Sequence, residues 1–260
     1  MTQQTGTSYT HTADFTYIDT ALKARWVPFS ELVAELNGFV PKTVADFAEY
    51  RKTELARLQE LNPTSTEESL LELIDNQIRA HADPGLQVMF KFGDRIMSEY
   101  VTVAFLAHAL AEATINALLA IGLATAGAED VFSLLERADI KEKWVAGPKA
   151  FYPTYSLLKG SALFQTLQHL TRQRNAFVHY KIELEMDGEK KLDGSRLDRA
   201  PLTTQIAWIH RFFSLPYDLA SHARTQMPQL SALILYDSNP IHRFAAHAVA
   251  QPGGAGDAAR

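Results

Sequence analysis

The sequence predicts an all-α protein, and three observations carry that reading. Apolar residues recur at helical spacing through most of its 260 residues. The breaks between those stretches fall at Gly, Pro and Asn clusters, where helices stop. Strand-like alternation appears in one short place only, at Ile182, Leu184 and Met186 before Asp187-Gly188, which is expected to form a hairpin or extended loop. The apolar fraction of 47% and charged fraction of 21% are those of a chain that buries a core.

Taken in order, residues 1–27 are expected to be a flexible leader. Met1 to Thr10 is polar and Thr-rich, with no basic start and no apolar run, so neither a signal peptide nor a transit peptide is expected. With no cysteine either, the cytoplasm is the expected location. Residues 28–93 form an N-terminal helical region of unassigned role. There Ser30 caps a short helix that stops at Gly38, and a second helix runs from Thr43 to Leu61. Ser65 and Glu68 make a capping box for a third, closed by Asp83-Pro84-Gly85.

Residues 94–226 read as four helices. The first is long, from Asp94 to about Ala126, and ends at Gly127. Its segment Val101 to Leu123 is nearly apolar enough to span a bilayer, but His108, Glu112 and Asn116 recur every fourth residue. They lie along one line of the helix, where a glutamate at a membrane centre is costly. A buried helix of a soluble protein with one polar stripe is therefore expected. The second helix runs from Asp130 to Val145, the third from Gly160-Ser161 to Tyr180, and the fourth from Pro201 to Thr225. Residues 227–260 form a C-terminal extension whose tail, from Gln251, is disordered by composition.

The net charge of −5 excludes a general nucleic-acid coat. Between Glu136 and Lys181, however, eight Lys or Arg face three acids, a local +5 on an acidic body. That pattern is either a solvated surface or a basic groove that attracts a polyanion to one place. The run Arg172-Gln173-Arg174-Asn175-Ala176-Phe177-Val178-His179 lies in this stretch, at the end of the third helix. Histidine titrates near neutral pH and serves as acid or base, while arginine presents a planar fork to phosphate oxygens.

Arg174-Asn175 followed by His179 resembles the signature of HEPN ribonucleases, an arginine with a polar residue after it and four to six residues between it and a histidine. Lys141-Glu142-Lys143-Trp144 and the acid Glu112 also resemble that family. The resemblance covers about half the chain. It implies an up-and-down four-helix bundle with additional N-terminal helices, and a metal-independent endoribonuclease that cuts through the RNA 2′-hydroxyl. Arg174, Asn175 and His179 would be catalytic, supported by Arg172, Glu112 and Lys143, with no cofactor and no metal. It also implies RNA as substrate, a homodimer in which two motifs meet, and a toxin or defence role with an antitoxin protein as partner. On an ideal helix Arg174 and His179 point about 140° apart, whereas Arg172 shares the histidine's face. Either arginine can therefore be the functional one. Whether the chain is an enzyme also stays open, the alternative being a non-catalytic HEPN module that binds nucleotide, RNA or a partner protein. Phe151, Tyr152 and Tyr155 are read as base-stacking or loop-packing residues, and His169, His210 and His222 as ordinary helix histidines.

Overall fold

The computed structural model describes residues 13–81, 84–178 and 201–228, and within these the protein is all-α, with no strand. The helices are α1 (Ala13–Leu61), α2 (Glu67–His81), α3 (Pro84–Ala126), α4 (Phe132–Leu135), α5 (Ile140–Ala146), α6 (Ala162–Val178) and α7 (Leu202–Gln226). Short 3-10 turns cover Glu129–Val131 and Gly147–Ala150. The chain divides into two compact units. Residues 13–26, 99–178 and 201–228 belong to the first, and 27–81 and 84–98 to the second.

α1 corrects two expectations. It starts at Ala13, inside the stretch read as a leader, and it passes through Pro28, Gly38 and Pro41 without stopping. A proline keeps helical φ but removes one N–H, at a cost of about 3 kcal/mol inside a helix. Burial offsets this: Leu22, Trp26, Phe29, Val33 and Leu36, spaced four and three apart, are all buried. α3 likewise begins ten residues before Asp94, with Pro84 at its first position, where the missing N–H costs nothing.

In the second unit, Leu58, Leu70 and Ile74 form a core cluster joined by Phe47 and Leu55. Phe39 packs edge-on against Phe92 with ring centres 5.3 Å apart. Surface pairs brace the helices: Arg51 with Asp75 at 2.8 Å, and Arg95 with Glu35 at 2.8 Å. Thr66, not Ser65, caps α2, because its hydroxyl accepts the Ser69 N–H at 3.3 Å.

In the first unit the core is built on the later part of α3. Tyr100, Val103, Ala107, Leu110, Ile115 and Leu119 are buried there, together with Leu167 and Leu170 of α6 and Ile209, Phe212 and Leu219 of α7. Trp26 packs edge-on against Phe213 with centroids 5.0 Å apart, and Arg25 forms an ion pair with Glu99, so residues 13–26 are part of this unit. Gly127 ends α3 as expected, at φ 66°, and Ala128 N–H donates to the Leu123 carbonyl at 2.9 Å. The most apolar window of α3 is half buried, consistent with the core helix of a soluble protein. The expected second helix is instead the short α4 and α5, separated where Asp139 caps α5 by accepting the Lys141 N–H at 2.8 Å. The expected hairpin at Ile182 to Gly188, and the tail, lie outside the described residues.

Candidate functional site

α5 is only seven residues long, yet it is firmly placed. Trp144 is fully buried and its indole N–H donates to the Ala111 carbonyl of α3 at 3.2 Å. Gly147 lets the following turn approach α3, since a Cβ there would come within 2.7 Å of Leu119. This anchoring carries Lys143, one residue before Trp144, against the polar stripe of α3. Its ammonium donates to Glu112 Oε1 at 2.9 Å. The Lys143 side chain is 1% exposed and that of Glu112 38%, so the ion pair is closed at the lysine end and open at the carboxylate.

His108 lies one turn before Glu112 and is nearly buried, with Nδ1 3.9 Å from Glu112 Oε2. Burial is the main force holding its imidazole below the usual histidine range. The Glu112 carboxylate works against that shift, while the charges of Arg174 and Lys143 add to it. Arg174 therefore acts on His108 from α6, and residues from α3, α5 and α6 share one electrostatic neighbourhood.

The two candidate arginines diverge. Arg174, half-buried in the last turn of α6, donates to Asn175 Oδ1 at 3.1 Å. Arg172 points elsewhere, with its guanidinium bonded to His169 Nδ1 at 2.8 Å. Two residues on a helix are about 200° apart in azimuth, so this separation follows from α6 itself. His179 lies outside the described residues. Of the six expected site residues, the fold thus brings Glu112 and Lys143 into contact, sets Asn175 beside Arg174 with Arg174 in electrostatic range of His108, and turns Arg172 to His169 instead.

Of the two roles open to the loop aromatics, packing is the one seen at Tyr155 and Phe151. Tyr155 is buried, where desolvation pushes its phenol well above the usual range, and Phe151 fills the space that a Cβ on Gly122 would occupy. The Tyr155 ring is thereby closed to a base. His222 bonds the Ser156 carbonyl at 2.9 Å and His210 sits edge-on to Trp26, both structural contacts. His169 is different. It stacks on Trp208 with centroids 3.8 Å apart, a contact between α6 and α7 that the sequence reading missed. The available signal was the matched spacing of His169 with Arg172 and of Trp208 with Arg211, three residues in each helix. No family model, curated protein or solved structure matches the chain.

Proposed function

We propose that the chain is a HEPN-like, metal-independent endoribonuclease that works in the cytoplasm as a homodimer. Its family role would be that of a toxin or defence effector held by an antitoxin protein. The observation that supports this reading best is the position of Arg174. The charge of the motif arginine reaches His108, one turn before Glu112 of the Glu112–Lys143 pair, although these residues are 31 to 66 positions away in sequence.

In this reading His179 removes the proton from a ribose 2′-hydroxyl, and the oxygen attacks the adjacent phosphorus. The Arg174 guanidinium holds the charge that develops on the phosphorane. The 5′-oxygen leaves with a proton, and a 2′,3′-cyclic phosphate remains. Asn175 orients the Arg174 fork, and the Lys143–Glu112 pair fixes the floor beneath it. DNA lacks the 2′-hydroxyl and is not a substrate.

Incubating the purified protein with total RNA in EDTA tests this. Cleavage to cyclic-phosphate ends is expected, and it is lost in His179→Ala and in Arg174→Ala. Products with 3′-hydroxyl ends, or activity that returns only with added Mg²⁺, overturn the mechanism. RNA binding without cleavage would favour the second reading, a non-catalytic HEPN module.

A further inference from the structure

Arg25, Arg51, Arg57 and Arg95 each pair with a carboxylate. Arg172 on α6 and Arg211 on α7 pair with none among the described residues, and both are exposed. Aromatic rings hold them instead. Arginine has no acceptor, so Arg172 donates to His169 Nδ1, and that ring must then carry its proton on Nε2, which faces Tyr100 Oη at 3.3 Å. The Arg211 guanidinium lies 4.7 Å from the centre of Trp208, and Trp208 stacks on His169. Two oriented cations thus flank one ring stack, and among the described residues most of their N–H donors have no acceptor.

The two helices also carry a positive balance. α6 carries Arg172 and Arg174 and no acid, and α7 carries Arg211 and Arg224 against Asp218 alone, in a chain whose net charge is −5. Trp208 is also the tryptophan that reaches solvent, being partly exposed where Trp26 and Trp144 are buried. Guanidinium edges match phosphate oxygens, and the outer plane of a guanidinium lying on an aromatic ring stacks an unpaired base whatever its identity. A protein ligand would need carboxylates spaced to reach both forks and would gain little from the ring stack.

We propose that Arg172, His169, Trp208 and Arg211 form a binding surface for single-stranded RNA, holding phosphates at the edges of the two guanidinium groups and a base on the outer plane of Arg211, which Trp208 supports. Arg172 thereby gains a role in binding, distinct from that of Arg174. His169 precedes Arg174 by five residues, about 7.5 Å along the α6 axis and about 140° around it, so a strand held here reaches the motif by crossing the helix. The direction of that strand rests on the endoribonuclease reading, but the binding does not.

The test uses the full chain carrying His179→Ala and a labelled oligouridylate of about twelve nucleotides, within the range one stacking groove covers. RNA is expected to quench tryptophan fluorescence. Trp208→Phe should keep the affinity and lose most of the quench, while Trp208→Ala should bind about 10-fold more weakly, because the Arg211 plane that stacks the base loses its support. Arg172→Glu and Arg211→Glu, both surface changes, should each weaken binding and flatten its salt dependence by about one counterion. Unchanged affinity in Arg211→Glu and Trp208→Ala overturns the proposal. So does duplex RNA that binds as well as single strands, or poly-glutamate that competes as well as RNA. Trp208-dependent binding without cleavage by the parent protein would overturn the endoribonuclease reading and leave this surface standing. Cleavage that is indifferent to Trp208 and Arg211 would do the reverse.

Discussion

Arginines do different work in two regions of this molecule. In the second unit, Arg51 meets Asp75 and Arg95 meets Glu35, and each cation is neutralised where it braces one helix on another. On α6 and α7 of the first unit, Arg172, Arg174 and Arg211 are held by an imidazole, an amide and an indole. These partners orient a guanidinium without cancelling its charge. The same side chain is thus a strut in one region and an oriented, uncancelled charge in the other, and what decides is the chemistry of its partner, not its exposure. Lys143 belongs to neither class: it is more buried than any of these arginines, and its one carboxylate is half open to solvent.

The largest effect that follows from this contrast is catalytic. Arg174→Ala and His179→Ala are expected to lower RNA cleavage by 100-fold or more, the scale of losing an acid–base or charge-stabilising group, roughly 3 kcal/mol of barrier. Neither should unfold the protein, since Arg174 sits in the last turn of α6. Arg95→Ala should leave cleavage unchanged. Equal loss from Arg95→Ala would erase the distinction between the two regions, and gel assays of total RNA digestion read it directly.

Next in size is the closed ion pair. Glu112→Ala leaves the Lys143 ammonium buried and uncompensated, which should cost about 3 kcal/mol or more in urea unfolding. Glu112→Ala combined with Lys143→Met should recover much of that, because the apolar chain fills the same space without a charge. A double variant no better than the single one would mean that the pair contributes attraction well beyond its desolvation cost.

A smaller effect concerns pH. Burial holds His108 below its unfolded value, and His210 as well. The unfolded chain therefore binds more protons than the folded one once pH falls toward about 6.5, and stability drops with pH from there through the lower folded value. Around His108 the facing charges are Glu112, Asp139, Lys143 and Arg174, and the carboxylates only partly offset burial. His108→Gln should make the urea midpoint less sensitive to pH between about 7.5 and 5.5. An unchanged slope would place the sensitivity elsewhere.

Much of the first unit is legible in the sequence because its signals are local. Gly127 ends α3 through its own positive φ, and Ser161 starts α6 by accepting the Phe164 N–H at 3.2 Å. The direction of Arg174 is legible too, since it shares the apolar seam of Leu163, Leu167 and Leu170. Less legible are the features that depend on distant partners. Pro28, Gly38 and Pro41 read as breaks, and only the buried stripe from Leu22 to Leu36 shows that packing overrides them. The approach of Lys143 to Glu112 depends on Trp144 docking against Ala111, a contact that no spacing within α5 announces. The His169–Trp208 stack likewise joins two helices whose register only the fold supplies.

The smallest expected effect sharpens the comparison from its structural side. The Arg51–Asp75 pair is exposed at both partners, 40% and 38% by side chain, so water and salt screen most of its attraction. Arg51→Ala should cost less than about 1 kcal/mol in urea unfolding, and the cost should shrink further in high salt. It should leave oligouridylate binding and its salt slope unchanged, because the charge it removes was already neutralised by Asp75. Arg211→Glu offers the opposite profile, with little change in the unfolding midpoint and a clear change in the salt slope. If Arg51→Ala weakens RNA binding as much as Arg211→Glu does, then affinity follows total positive charge and not the partner that holds each arginine.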